Sequence, residues 1–280
     1  MLARLAEYYF YRGHLTEALE WFDTLLTYEL PPSRARAMGL QKAGFLTRVR
    51  ADFEKARSLL ERALAMAREI GDDERAGWAL LDLGNAARDT GTLEEVIANF
   101  SEALSLFQNL QDVRGTLNSF YELGNTYLQT RELEKARSMW EQGLELSRQL
   151  NDQAFIAWGL EGLANVAFLE RHIDQARRLH KGSLQLKADV MDMVGIAYSF
   201  EGLAQAAAAD EEPERAALLW GAAERLREIT NTPLEPSRRY VYVSLLPVAR
   251  AQMGDLTFDE TYARGKALKL ANAIQLGLEP

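Results

Sequence analysis

The fold is decided by residues 75–111, which read RAGWALLDLGNAARDTGTLEEVIANFSEALSLFQNLQ. Apolar or small residues recur in the first half at helical spacing, at Leu80, Leu83, Gly84 and Ala87. A polar break at residues 89–92 is followed by a second helical stripe of Val96, Phe100, Ala103, Leu104 and Phe107. Each stripe predicts one amphipathic helix, and the short break between them predicts a helical hairpin.

This pattern recurs every 40 residues. The recurring positions include Gly44, Gly84, Gly124, Ala164 and Ala204 in the first helix, and Ala56, Val96, Ala136, Ala176 and Ala216 in the second. A fixed period of this length predicts a solenoid, in which each unit buries its apolar face only against its neighbours. We therefore expect an all-α, right-handed α-α superhelix of about seven helical hairpins. The predicted array covers residues 1–230, with units near 2–34, 35–72, 73–112, 113–152, 153–192 and 193–230, and residues 231–280 form capping helices.

Small residues and turn residues have physical roles in this pattern. Glycine inside a helix costs about 1 kcal/mol relative to alanine, so its recurrence indicates a close helix crossing, with a large side chain filling the gap. The aspartates before each new unit are natural helix N-caps; they are Asp72, Asp112, Asp152 and Asp192. Gly71 and Asn151, just before two of them, suit a left-handed helix end.

Composition excludes several classes of function. The formal net charge of −9 argues against a nucleic-acid surface, and the absence of cysteine excludes disulfides and thiolate metal sites while fitting a reducing cytoplasm. No apolar stretch is long enough to span a bilayer. The histidines, His14, His172 and His180, lie in unrelated contexts, and His180 takes the place of Phe100 and Trp140, which indicates packing. We expect a soluble, cytoplasmic, non-catalytic protein without metal or cofactor.

The repeat resembles the tetratricopeptide repeat. The residues that carry the resemblance are Leu83-Gly84, Gly91, Val96, Phe100 and Ala103, and it extends over residues 2–230. Departures are Val96 in place of alanine, and Arg131, Arg171 and Glu211 in place of the turn glycine. The family's standard unit has 34 residues, so a 40-residue unit predicts extended helices.

The carboxy-terminal part carries a second resemblance. Residues 220–224 (Trp-Gly-Ala-Ala-Glu) and 262–268 (Tyr-Ala-Arg-Gly-Lys-Ala-Leu) resemble the cap of tetratricopeptide sensor regions in large bacterial LuxR-type and related STAND ATPase regulators. This resemblance implies a sensor region beside a nucleotide-switch domain. The chain itself has no GxxxxGK[ST] loop for ATP. Because no polar cap precedes Leu2, we expect a piece of a longer protein, or else a homodimer through that end.

The tetratricopeptide resemblance implies a concave groove lined by the first helix of each hairpin. The candidate residues on this face are Trp78, Leu81, Asn85, Arg88, Asn118, Tyr121, Asn125, Trp158, Glu161, Asn165, Tyr198, Glu201 and Gln205. Among them, an amide column recurs every 40 residues: Asn85, Asn125, Asn165 and Gln205. A carboxamide is both donor and acceptor, so it can pair with a peptide backbone whatever the ligand's side chains are. Equally, these amides can bond neighbouring helices, and both interpretations stay open.

The other groove candidates also allow two interpretations. Trp78, Trp158 and Tyr198 can anchor a partner's apolar side chains or belong to the core. Glu161 and Glu201 favour a basic or amine ligand, although helical carboxylates are usually just solvated. The expected partner is a protein, a peptide or a small effector in the groove, or an intramolecular switch domain. The alternative function is a structural scaffold that self-associates through its solenoid ends.

Overall fold

The computed structural model describes residues 20, 22, 31–234 and 238–279. This part of the chain is built of helices without β-strands, as predicted. The helices are α1 (Arg34–Val49), α2 (Phe53–Glu69), α3 (Asp73–Thr90), α4 (Leu93–Leu110), α5 (Val113–Gln129), α6 (Leu133–Gln149), α7 (Gln153–Leu169), α8 (Ile173–Asp189), α9 (Met193–Ala209), α10 (Pro213–Thr230), α11 (Arg239–Tyr242), α12 (Leu246–Met253), α13 (Asp255–Ala267) and α14 (Leu270–Leu278). Across the described residues, no helix combines the length and the hydropathy needed to cross a membrane.

Two compact units divide the chain within α5, the first up to Leu123 and the second from Gly124 onward. The first holds the hairpins α1–α2 and α3–α4, and the second holds α7–α8, α9–α10 and the shorter helices α11–α14. Consecutive antiparallel hairpins confirm the predicted fold class. The predicted unit at residues 2–34, with its uncapped start and His14, lies almost entirely outside the described residues.

The turns between helices repeat one backbone conformation. A residue with positive φ stands at intervals of 20 residues, at Ala51, Gly71, Gln111, Arg131, Asn151, Arg171, Met191, Glu211 and Asn231. The left-handed helix ends predicted at Gly71 and Asn151 are thereby confirmed, and the same geometry occurs without glycine elsewhere. The turn at Gly91 differs, because its φ of −102° is not left-handed. There α3 continues to Thr90, two residues into the predicted break.

The predicted N-caps are confirmed at all four aspartates. Asp72 accepts a hydrogen bond from the backbone N–H of Arg75 at 3.0 Å, and Asp192 accepts one from Gly195 at 2.9 Å. Asp112 and Asp152 do the same for the helices that follow them. Each bond satisfies an amide that would otherwise lack a partner in the first turn of a helix.

The helix crossings show why glycine recurs. A Cβ built on Gly84 would lie 2.3 Å from the Phe100 ring, and one on Gly124 would lie 2.6 Å from Trp140. Gly44 has the same relation to Leu60. Since real Cβ atoms never approach so closely, only glycine permits these rings to lie against the first helix.

A different pair of glycines attaches the carboxy-terminal helices. A Cβ on Gly221 in α10 would lie 2.2 Å from the Tyr262 carbonyl oxygen, and one on Gly265 in α13 would lie 2.2 Å from the Leu218 carbonyl oxygen. The two quoted tail motifs, residues 220–224 and 262–268, therefore pack against each other backbone to backbone. Phe258 in α13 is fully buried beside this crossing.

His180 occupies a packing position in α8. Its side chain is buried, and a Cβ on Gly202 would lie 2.3 Å from the imidazole. Burial lowers the pKa of His180 to about 4, with Lys187 lowering it further and Glu161 opposing the shift. The histidine is therefore neutral at physiological pH and fills the space that Phe100 and Trp140 fill in their hairpins.

Replacing a left-handed residue by glycine is expected to stabilise the chain. Met191 has φ 56° and an exposed side chain, so Met191→Gly removes Cβ strain without losing packing. We expect the free energy of unfolding to rise by about 0.5–1 kcal/mol. The matched control is Gly71→Ala at the equivalent turn, where a Cβ meets nothing within 4 Å and only the backbone conformation is strained. Urea titrations should show opposite shifts for the two variants, and equal shifts would contradict the expectation.

The buried His180 makes stability depend on pH. The unfolded chain takes up a proton near the ordinary pKa of 6.5, whereas the folded chain does so only near 4, so stability falls as the pH drops through this window. The expected loss between pH 6.5 and pH 4 is about 3 kcal/mol. His180→Phe should reduce this slope in denaturant titrations at several pH values, while His172→Gln at an exposed turn should retain it. A slope unchanged in His180→Phe would refute the assignment.

Candidate functional site

The predicted site residues stand on the first helix of each hairpin, and each unit presents its own part of this face. In the first unit, the candidates are Trp78, Leu81, Asn85 and Arg88 on α3, and Asn118 and Tyr121 on α5. In the second unit, they are Asn125 on α5, Trp158, Glu161 and Asn165 on α7, and Tyr198, Glu201 and Gln205 on α9.

Arg88 organises the polar part of the face in the first unit. Its guanidinium donates to the Asn85 side-chain oxygen at 2.9 Å and to the Glu122 carbonyl at 3.1 Å, and it forms an ion pair with the Glu122 carboxylate at 2.6 Å. The same group lies 4.9 Å from the Phe100 ring centroid. Asn85 and Arg88 are therefore held together in one orientation, as a preorganised site requires.

The apolar candidates of the first unit reach inward. Leu81 is buried, and the half-buried Trp78 packs edge-on against Phe107, with ring centroids 5.1 Å apart. On α5 the Asn118 amide donates to the Arg114 carbonyl of its own helix at 2.8 Å, and Tyr121 is half-buried. Leu81 thus serves the core, whereas Trp78, Asn118 and Tyr121 keep part of their surface exposed.

Asp82 is a polar residue that the sequence prediction missed. The Gln41 amide donates to its carboxylate at 2.7 Å, and burial raises the pKa of Asp82 to about 6 against this hydrogen bond. A signal existed in the sequence, because Lys42, Asp82 and Glu122 form a charged column with the same 40-residue period. The face of the first unit therefore carries both signs of charge.

Glu161 and Asn165 in the second unit share one partner, the phenol of Tyr242. The hydroxyl donates to Glu161 at 2.7 Å and accepts a hydrogen bond from the Asn165 amide at 2.8 Å. Glu161 also forms a buried ion pair with Lys187 of α8. Burial raises the pKa of Glu161, but Lys187 and Tyr242 together bring it below its usual value, so the carboxylate is ionised.

Glu201 repeats this arrangement one hairpin later. Arg227 of α10 donates to both carboxylate oxygens, at 2.7 and 2.8 Å, and its guanidinium lies 4.1 Å from the Tyr198 ring centroid. Both buried pairs join residues 26 apart in sequence. The basic group that the sequence suggested for Glu161 and Glu201 is thus supplied by the chain itself.

Gln205 holds a stretch of main chain through both ends of its carboxamide. The amide donates to the Val241 carbonyl at 2.7 Å, and the side-chain oxygen accepts the Leu245 N–H at 2.8 Å. It also donates to the Ser244 hydroxyl at 2.6 Å. We call residues 238–246, which contain these groups, the groove segment. Two positions of the predicted amide column, 165 and 205, are therefore occupied by the groove segment.

Asn125 and Trp158 are the remaining candidates of the second unit. The half-buried Asn125 has a buried amide nitrogen that finds no hydrogen-bond acceptor among the described residues. Trp158 is half-buried and packs edge-on against Phe155 at 5.0 Å between ring centroids. This nitrogen is covered by its surroundings, so a ligand's carbonyl oxygen would pair with it once the half-buried amide turns outward.

A cavity of about 570 Å³ lies beside the groove segment, which lines it with Arg239, Val243 and Leu246. Trp220, Leu246 and Pro247 contribute apolar walls, and the buried pair of Glu201 and Arg227 contributes polar groups. Its size and mixed lining fall within the range of small-molecule sites.

Lys187, Arg227 and Tyr242 are partners that the sequence prediction missed. The two cations break a column that otherwise holds Ala67, Phe107 and Ser147, and their 26-residue spacing from Glu161 and Glu201 was a usable signal. Tyr242 lies beyond the last predicted repeat, where the period no longer provides an alignment.

Two regions of the chain match models of a known repeat family. Residues 33–109 match one tetratricopeptide repeat model, and residues 116–154 match another. No curated protein sequence matches the chain significantly.

Several solved structures have a similar fold. BtubC (BKLC) from P. vanneervenii has a TM-score of 0.62 at 20% identity, over 80% of this chain and 92% of its own. NprR in complex with its cognate peptide NprX has a TM-score of 0.64 at 16% identity, over 96% and 76%. A Rap protein complexed with Competence and Sporulation Factor has a TM-score of 0.58 at 14% identity, over 93% and 80%.

Breaking the buried pair of Glu161 and Lys187 is expected to destabilise the chain strongly. Lys187→Met leaves an uncompensated carboxylate and should cost about 3–5 kcal/mol of unfolding free energy. The double variant Glu161→Leu/Lys187→Met removes the carboxylate together with its cation and should recover part of that loss. Methionine is chosen because the equivalent Phe107 lies against Gly77, whereas this hairpin has Ala157 at that place. Denaturant titrations of the two variants check this. A double variant no more stable than Lys187→Met would show that the pair acts otherwise.

Proposed function

Because residues 33–109 and 116–154 are tetratricopeptide repeats and the chain has the hairpin fold of such proteins, we propose that it is a non-catalytic module that binds an extended peptide or protein segment. The site is the exposed first-helix face of its hairpins. The observation that carries this proposal is the two-ended hydrogen bonding of Gln205 to the main chain of Val241 and Leu245.

The geometry at Gln205 indicates what the equivalent amides can do. A carboxamide matches the donor and acceptor of a peptide group, so it holds main chain without selecting side chains. Asn125, which is half-buried and whose amide nitrogen finds no acceptor among the described residues, is the equivalent position in the second unit. In the first unit, Asn85 is held ready by Arg88.

Selectivity then comes from the groups beside the amides. In the first unit, Trp78 and Tyr121 offer partly exposed aromatic surface. Arg88 and Asp82 place charges of both signs on the same face, although Arg88 is already paired with Glu122. A partner segment with alternating apolar and polar residues fits this arrangement, because aromatic anchors in partly buried positions contribute most of the binding energy.

The structural neighbours support a peptide partner. NprR, which has a similar fold, is complexed with its cognate peptide. We propose the same kind of ligand for this chain.

We further propose that the chain is the sensor region of a cytoplasmic bacterial signal-transduction or transcriptional regulator of the LuxR or STAND type. The support is the resemblance of residues 220–224 and 262–268, which meet at the glycine crossing of α10 and α13. In such a regulator the ligand would act by binding one of two states more tightly, since a ligand of equal affinity for both shifts nothing.

A small effector is a second candidate ligand, favoured by the cavity beside the groove segment. Leu246→Trp would fill this cavity without altering the amide column. Loss of effector binding with retained peptide binding in that variant would assign the two ligands to separate places.

The peptide-binding proposal predicts a specific loss in Asn125→Ala. Peptides selected from a random library on the immobilised chain should bind Asn125→Ala about tenfold more weakly, because one hydrogen bond to the peptide is removed. The melting temperature should stay within about 2 °C of the original, since the Asn125 donor has no partner to lose within the described chain. Fluorescence anisotropy and thermal melting measure the two quantities.

The matched control is Asn99→Ala on α4, a second helix of a hairpin. It should leave peptide affinity unchanged. A lower melting temperature with unchanged affinity in Asn125→Ala would contradict the groove assignment. Self-association that grows with concentration in light scattering, without any selected peptide, would favour the scaffold function instead.

A further inference from the structure

We propose that the groove segment, residues 238–246, is an internal ligand of the α7–α9 face, and that it exchanges with an external peptide of the same chemistry. The external peptide carries a tyrosine four residues after a basic residue, as Tyr242 follows Arg238. This inference rests on the proposed peptide-binding function, because it names the regulation of that site.

The first step of the recognition is a pocket for a phenol. Tyr242 is 1% exposed, and its hydroxyl donates to Glu161 while accepting from Asn165. The ring lies against Tyr198, with centroids 5.1 Å apart. A phenylalanine would leave a buried carboxylate without this donor, so the pocket selects tyrosine.

The second step is recognition of main chain. Gln205 holds the Val241 carbonyl and the Leu245 N–H, and the indole N–H of Trp220 donates to the Tyr242 carbonyl at 2.9 Å. Side chains of the repeat therefore bind three main-chain groups within five residues. This is the way a groove binds a peptide, whereas packed helices contact each other mainly through side chains.

A cation completes the pattern. The Arg238 guanidinium lies 5.2 Å from the Tyr198 ring centroid, and its charge contributes to the lowered pKa of Glu161. The Tyr198 ring beside this guanidinium, with Glu161 contributing through its charge although Lys187 already pairs with it, fits a basic residue preceding the tyrosine.

The helices after the groove segment have their own attachment. α13 is held to α10 by the close crossing of Gly221 and Gly265 and by the buried Phe258. The groove segment contains the four-residue helix α11 and the first residue of α12. It is held on the face by the polar bonds of Tyr242 and the main chain, and by the packing of Val243, Leu245 and Leu246 against the core. Its release therefore does not require α13 to leave α10.

Intramolecular binding of the groove segment lowers the apparent affinity of the face for an external peptide. A tethered segment competes at an effective concentration of about millimolar, so the wild-type chain should bind an external copy only weakly. Removing the Tyr242 ring from the chain lowers this competition and leaves Glu161, Asn165 and Gln205 in place.

The test uses a fluorescent synthetic peptide with the sequence of residues 237–247, SRRYVYVSLLP, and the full chain. Anisotropy titrations should show at least tenfold tighter binding to Tyr242→Ala than to the wild type. The same peptide with phenylalanine at the Tyr242 position should bind Tyr242→Ala at least tenfold more weakly. Adding Gln205→Ala to Tyr242→Ala should also abolish the gain, whereas Tyr240→Ala, a neighbouring tyrosine, should bind like the wild type. Equal binding of the peptide to Tyr242→Ala and wild type would overturn the proposal.

Hydrogen exchange of the wild-type chain gives a second test that needs no variant. The amides of residues 241–246 should exchange at least tenfold faster than those of α9 and α10, because the segment leaves the face while the helices stay folded. If the segment exchanges only together with α9 and α10, it is a fixed cap and the proposal is overturned. Because this measurement uses the wild-type chain, it decides the question even if Tyr242→Ala fails to fold. If library-selected peptides bind with an affinity that depends on Asn125 but the peptide of residues 237–247 does not bind, the proposed peptide-binding function stands and only the internal-ligand proposal fails.

Discussion

The whole arrangement depends on one steric constraint, the absence of a side chain where the two helices of a hairpin cross. Gly44, Gly84 and Gly124 each lie against a large side chain 16 residues later, closer than any Cβ would allow. The large partner varies from Leu60 to Phe100 to Trp140, because the crossing accepts different shapes as long as the facing position stays empty. Because the crossing uses only one side of the first helix, the opposite side is available for polar and aromatic residues.

Local physics explains why the helices could be predicted from sequence. Helix periodicity, N-capping aspartates and close crossings all act within about 40 residues, which is the length of one repeat. The end of α3 was the exception, because Gly91 adopts an extended rather than a left-handed conformation and the helix continues through Asp89 and Thr90. The aligned residues Arg131, Arg171 and Glu211 are left-handed although they are not glycine, so this turn geometry does not require glycine.

The polar contacts of the second unit were harder to predict, for a reason of distance along the chain. Tyr242 reaches Asn165 across 77 residues and Glu161 across 81, and it stands after the repeat has ended. No periodic alignment relates such positions. Lys187 and Arg227 were accessible in principle, because each interrupts a column of uncharged residues at the same place in two successive repeats. The 40-residue period predicted the amide column itself, but it did not predict that the groove segment binds to Asn165 and Gln205.

The uniform turns have a consequence for how such a chain changes length. From Gln111 onward, left-handed residues recur every 20 positions, and each buried charge pair, Glu161 with Lys187 and Glu201 with Arg227, joins the two helices of a single hairpin. A 40-residue block therefore contains its own charge compensation and ends in the same backbone conformation with which the preceding block ended. Duplication or deletion of a whole block in the gene preserves both properties, whereas a 20-residue change would separate each carboxylate from its cation. Such a chain can therefore gain or lose whole hairpins in evolution, and each hairpin can diverge on its exposed face independently.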